Sequence, residues 1–221
     1  MSILPETATE ALHLIEKAED AHADFIEVRL DCFKDYSRLV DVVAHGKTPK
    51  IATCKLRSCH GKFSGTETEQ QQLLLSAAQS GFEYVDVDLT QSKLNVTVKE
   101  LKRLGAKLIV SLHDFAETPS AVELSSVLER EIASGADVCK IVTTAKRVED
   151  NLVLLNFTAT ACSKAKIVCF ATGKLGRVSR LLSPLFGGYF TFASLGRGSE
   201  TGAGQMTIQE MRTAYELLGL K

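Results

Sequence analysis

The chain has 221 residues, 45% of them hydrophobic and 24% charged, a composition that suits a globular protein with a sizeable core. A formal net charge of −1 argues against nucleic acid or an anionic membrane as partner, and no apolar run is long enough to span a bilayer. The six cysteines (Cys32, Cys54, Cys59, Cys139, Cys162, Cys169) form no CxxC pair and read as reduced thiols, with no zinc site; together with an N-terminus lacking a basic or apolar leader, this suits the cytoplasm or a plastid-like compartment.

The predicted elements alternate strand and helix. A strand stub over 1–4 precedes a helix from Thr7 to Asp20, with Leu12, Ile15 and Ala18 along one side. A strand over 24–30, a helix over 35–45 and a strand over 50–55 lead into a polar, Gly-containing loop. Thr66 and Glu69 have the spacing of a capping box and start a helix that ends at Gly81. Next come a strand over 84–89, a helix over 96–104 and a strand over 107–112. Thr118-Pro119 opens a helix that runs to Ser134, with Pro119 suited to the first helical position. The remaining elements are a strand around Lys140, a helix over 147–162, a strand over 166–170, a short helix over 175–182, a strand over 188–193 and a helix over 207–218. About eight βα units predict a single α/β domain over 1–221, a (βα)8 barrel with a reduced N-terminal strand. An open doubly wound sheet fits less well, because no GxGxxG follows an early strand.

Lys140 lies in Gly135-Ala-Asp-Val-Cys-Lys-Ile-Val-Thr143, a β-branched apolar run. A buried ammonium must find a carboxylate or lose its proton, and a lysine that loses its proton is a nucleophile able to form a Schiff base. The structural alternative is that its stem carries the charge out to water. Alternation along the other strands sets the parity of their polar groups. Ile26, Val28 and Leu30 on one face turn Glu27, Arg29 and Asp31 inward; Val85 and Val87 turn Asp86 and Asp88 inward; Val110 and Leu112 leave Ser111 and His113 inside. Lys140 shares its side with Val138 and Val142, so parity there is open. These groups lie toward the C-terminal ends of their strands, where barrel active sites form. An inward salt-bridge network that merely plugs the interior is the competing explanation. Lysine and histidine together suggest imine chemistry, with His113 moving the adjacent proton and Arg29 and Arg180 holding an anion.

Glu27-Val-Arg-Leu-Asp31, Ser111-Leu-His-Asp-Phe115, the Lys140 run, Ser179-Arg180, Phe186-Gly-Gly-Tyr-Phe-Thr-Phe192 and Gly204-Gln205 occur in an order that resembles type I 3-dehydroquinate dehydratase, most closely the half fused to shikimate dehydrogenase in plants. The resemblance implies cofactor-free, metal-free dehydration of 3-dehydroquinate to 3-dehydroshikimate in the shikimate pathway. It implies Lys140 as the imine lysine and His113 as the acid–base. It further implies Glu27, Arg29, Lys55, Arg180, Phe192, Thr201 and Gln205 as substrate contacts. A second copy of the chain or a neighbouring shikimate dehydrogenase domain are the partners it suggests.

The sequence departs from the family pattern. Lys55 stands at an arginine position, Cys59 at a loop glutamate and His60 at a loop glycine. Asp88 replaces a glutamate, and Thr201-Gly-Ala-Gly-Gln205 replaces Ser-Ala-Pro-Gly-Gln. Lysine keeps the charge of arginine but not its fork. Two other readings stay open: a family barrel with weakened or lost catalysis that serves as a binding or structural module, and a class I aldolase-like barrel. Against the latter, no Gly-rich phosphate loop follows the seventh strand beyond Thr172-Gly173-Lys174.

Overall fold

The computed structural model describes residues 1–220; Lys221, the last residue of the expected domain, lies outside the described residues. The chain divides into two compact units. The first comprises Met1–Val87, Gln91–Leu108 and Ser194–Thr201, and the second comprises Asp88–Thr90, Ile109–Ala193 and the segment from Gly202 on.

In the first unit, β1 (Ser2–Ile3), β2 (Ile26–Arg29), β3 (Lys50–Thr53) and β4 (Tyr84–Asp88, its last residue in the second unit) are parallel neighbours in that order. Helices α1 (Ala8–Asp20), α2 (Leu39–Ala44), α3 (Glu67–Ser80) and α4 (Leu94–Arg103) connect them or follow them. The second unit carries most of β5 (Lys107–His113), then β6 (Val138–Thr144) and β7 (Ile167–Thr172), again parallel and in order, with α5 (Ala121–Ala133), α6 (Asp150–Ala161), α7 (Arg177–Leu182) and α8 (Ile208–Leu217). This is the strand–helix alternation of a (βα)8 chain. Strands buried on both faces explain the near-continuous apolar runs.

Three helices start at reciprocal capping boxes: Thr66 with Glu69, Ser120 with Glu123, and Thr207 with Glu210. The first of these meets the sequence expectation. The second corrects one: Ser120 is the cap, so Pro119 precedes the helix instead of occupying its first position. Helices α2 and α6 begin later than periodicity suggests. Asp35 accepts the Ser37 N–H at 2.9 Å, and Asp150 accepts the N–H groups of Lys146 and Arg147 at 2.7 and 3.0 Å, so local side-chain turns displace the first helical turn.

The strand expected over 188–193 is not formed; in its place a single parallel bridge joins Ser194 to Ser2. One N–H of the segment does reach β7, from Tyr189 to the Ile167 carbonyl at 2.7 Å, but no ladder continues from it. The Gly188 N–H closes a turn to the Ser183 carbonyl at 2.9 Å, the Arg180 carbonyl accepts the Thr191 hydroxyl at 2.8 Å, and the Phe192 carbonyl accepts from Arg180 Nη1 at 3.4 Å.

In the second unit, Cys139 and Ile141 of β6 pack with Leu124, Leu128, Leu154 and Phe157 of α5 and α6. That resolves the parity left open by the sequence, because Lys140 must point to the opposite face. Burial pushes the thiols of Cys54, Cys139 and Cys169 from an ordinary 9.0 up to about 12, whereas Cys162 is exposed. In the unfolded chain these three thiols lose protons near pH 9, but the folded chain retains them until about pH 12. The folded state then binds more protons, so stability should fall as pH rises through that window. Urea midpoints measured at pH 8, 9 and 10 should drift downward, and a thiol reagent at pH 8 should label Cys162 but reach the buried three only after unfolding. A flat midpoint series would contradict this.

Candidate active site

The second unit brings Lys140 and His113 onto neighbouring strands. β5 and β6 run side by side with Ser111 opposite Lys140 and His113 opposite Val142. Ser111 and His113 share a face, so the imidazole sits one pleat further toward the strand end than the lysine's neighbour. Lys140 is 5% exposed, and its Nζ lies 4.4 Å from the centroid of the Phe192 ring. An aromatic face in that position excludes water from the side of the amine that it covers. His113 is half-buried and stacks on Phe115, with centroids 5.8 Å apart and planes 11° apart. The turn after His113 is rigid: Asp114 accepts the N–H groups of Ala116 and Glu117 at 2.8 and 3.0 Å, and the Asp114 carbonyl accepts the Thr144 hydroxyl at 3.0 Å.

Arg180 is delivered to the same unit by α7. The hydroxyl of its neighbour Ser179 accepts the Ala171 N–H at 3.0 Å, and the Ser179 N–H donates to Asn151 at 2.9 Å, which ties the helix to β7 and α6. The guanidinium is buried over the Phe170 ring, 4.1 Å from its centroid, and Phe170 in turn packs on Phe192 with centroids 6.2 Å apart. The Lys140 and Arg180 side chains therefore share an aromatic floor. Phe170 was not among the sequence candidates; its alternation with Cys169 and Ala171, both on the helix side, is the signal that could have marked it. Gln205 is 3% exposed and belongs to this unit as well.

In the first unit the remaining candidates carry buried partners. Glu27 accepts from the hydroxyls of Ser2 and of Thr53, the latter at 2.9 Å. Arg29 makes a bidentate pair with Asp31 at 2.8 and 2.8 Å, and Asp31 also accepts the Lys62 N–H at 2.9 Å. Although burial opposes it, the Asp31 carboxylate raises the Arg29 pKa above its ordinary value. Lys55 donates to Asp86 at 2.8 Å, with both side chains buried. Sequence alternation placed Asp31 and Asp86 inward but did not identify them as the groups that orient Arg29 and Lys55. Thr201 is half-buried in this unit, and Asp88 accepts the Thr90 N–H and hydroxyl.

The altered loop after β3 folds back on itself. The Gly61 N–H reaches the Leu56 carbonyl at 2.8 Å, and the Phe63 N–H reaches the Lys55 carbonyl at 3.1 Å. A Cβ at Gly61 would fall 1.8 Å from the Lys55 carbonyl oxygen, so only glycine fits. His60 adopts φ +58°, the left-handed conformation that a glycine would take without strain. Cys59 is half-buried, while Arg57 and His60 are exposed.

Parallel strands alternating with helices, with a buried lysine on one strand and a histidine on the next, are the arrangement of an α/β-barrel protein. The family model of type I 3-dehydroquinase matches residues 1–221, and the chain belongs to that family. The 3-dehydroquinate dehydratase of Dehalococcoides mccartyi is 39% identical over 201 residues, which cover 91% of this chain and 88% of that protein. The crystal structure of 3-dehydroquinate dehydratase from Geobacillus kaustophilus superimposes with a TM-score of 0.90 at 26% identity, covering 99% of this chain and 89% of that one. The dehydroquinate dehydratase and shikimate dehydrogenase of S. pombe AroM gives 0.78 at 28% identity, covering 99% of this chain and 44% of that one. Among the described residues no helix is long and apolar enough to cross a membrane.

Proposed function

We propose that this chain, acting as a single (βα)8 domain over 1–221, is a type I 3-dehydroquinate dehydratase in which Lys140 and His113 carry the chemistry. The observation that supports it most is a lysine 5% exposed, held over the Phe192 ring, on the strand next to the one bearing His113. The neutral Lys140 amine adds to the ketone of 3-dehydroquinate, and loss of water gives the iminium. His113 takes the proton from C2, and the electron pair flows into the iminium to give an enamine. The enamine expels the hydroxyl, which leaves as water with a proton from His113. Hydrolysis of the imine returns Lys140 and releases 3-dehydroshikimate. Arg180 and Gln205 are assigned to the substrate's carboxylate and hydroxyls and Phe192 to the pocket wall; Glu27, Arg29, Lys55 and Thr201 are further substrate contacts.

The test is the rise in ultraviolet absorbance of the conjugated product on adding 3-dehydroquinate to purified protein. Absence of any rise, with no borohydride-trapped adduct, would refute the assignment. The S. pombe relative also supports a working arrangement beside a shikimate dehydrogenase.

Weakened turnover is the alternative that the resemblance implies, because Cys59 stands where the family pattern has a loop glutamate that orients the histidine; in support, Lys55 is already engaged by Asp86. Combining Cys59→Glu with Lys55→Arg should raise kcat roughly three- to tenfold by restoring an orienting acid and a bidentate fork. Steady-state kinetics of the double variant check this; an unchanged kcat would show that the loop does not limit the enzyme.

A further inference from the structure

The turn 202–205 contains no proline, yet it is held firmly within the second unit. The Ala203 carbonyl accepts two hydrogen bonds from the end of β7: the Thr172 hydroxyl at 2.8 Å and the Gly173 N–H at 2.9 Å. The backbones are packed so closely that a Cβ at Gly204, where φ is +73°, would fall 2.1 Å from the Gly173 carbonyl oxygen. The Gln205 N–H then closes a turn to the Gly202 carbonyl at 3.1 Å, and Gln205 ends up 3% exposed. A Cβ at Gly202 would lie 4.0 Å from Arg180 Nη2, so the turn passes beside the buried guanidinium.

We propose that Thr172 is a positioning residue: its hydroxyl latches the 202–205 turn to β7 and thereby sets Gln205 for the substrate. The proposal rests on the dehydratase reading for its functional half only. Thr172 is itself anchored, since it lies opposite Thr144 in the β6–β7 register and its carbonyl accepts the Ala145 N–H at 3.4 Å. The hydroxyl therefore extends a fixed strand end by one bond into a loop that has no proline to hold it.

Thr172→Val keeps the β-branched shape and removes the donor, and Thr172→Ser restores it. The full chain should show faster hydrogen exchange at the Gln205 amide in Thr172→Val, with no substrate present. KM for 3-dehydroquinate should rise roughly fivefold, the loss expected of one neutral hydrogen bond, with kcat changed less and the unfolding midpoint unchanged. Thr172→Ser should return both exchange and KM to the wild-type values. Unaltered Gln205 exchange in Thr172→Val would overturn the latch, and faster exchange with unaltered KM would overturn its role in substrate positioning. Equal loss in kcat and kcat/KM with a lowered midpoint, unrescued by serine, would reduce Thr172 to a structural residue and overturn the proposal. If the wild type shows no turnover, the dehydratase reading fails and with it the substrate role, while exchange still decides the latch.

Discussion

Lys140→Ala is expected to form no borohydride-stable adduct with 3-dehydroquinate and to lose turnover by roughly 10⁴-fold or more, because the covalent intermediate is the route by which the C2 proton becomes removable. Little else should change. The side chain contributes a cation–ring contact with Phe192 worth about 1–2 kcal/mol when desolvated, and the strand around it is held by its ladder bonds to β5 and β7. Lys140→Met, which retains most of the stem, separates loss of the amine from loss of packing. Mass spectrometry after reduction and thermal unfolding of both variants provide the check. Full-yield trapping in either variant would remove Lys140 from the reaction.

His113→Ala should behave differently. Imine formation survives, so the variant still traps substrate on reduction, but proton removal from C2 loses its base and turnover falls by about 10²–10⁴. The adduct should accumulate on the enzyme because elimination no longer drains it. Near-normal product formation would exclude His113 from the proton transfer. The pair of variants divides the cycle: one stops before the covalent bond and the other after it.

Much of the placement of polar residues on the strands was legible in the sequence. Strand alternation is a period of two, so apolar Val85 and Val87 were enough to turn Asp86 inward, and the same reasoning exposed Glu27, Arg29 and His113. It failed at Lys140, where Val138 and Val142 lie on its own side; packing of Cys139 and Ile141 against α5 and α6 decided the matter. Partnerships were not legible at all. Lys55 and Asp86 are 31 residues apart, and Thr172 and Ala203 are also 31 apart, and no local pattern encodes which long-range donor meets which acceptor. The strand expected over 188–193 failed for a related reason. Its β-like composition is real and the Tyr189 N–H still bonds to Ile167 of β7, but a turn to Ser183 takes the Gly188 N–H and Arg180 takes the Phe192 carbonyl.

The three capping boxes stand directly after the loop segments Lys55 to Gly65, Asp114 to Pro119, and Thr201 to Met206. Each helix thus declares its own first residue through a reciprocal pair of bonds, independent of what precedes it. Replacement of a loop residue changes the loop without shifting the register of the helix downstream. The scaffold is insulated from its own rim, and substitutions such as Cys59 and His60 can accumulate there while every buried helix face keeps its place.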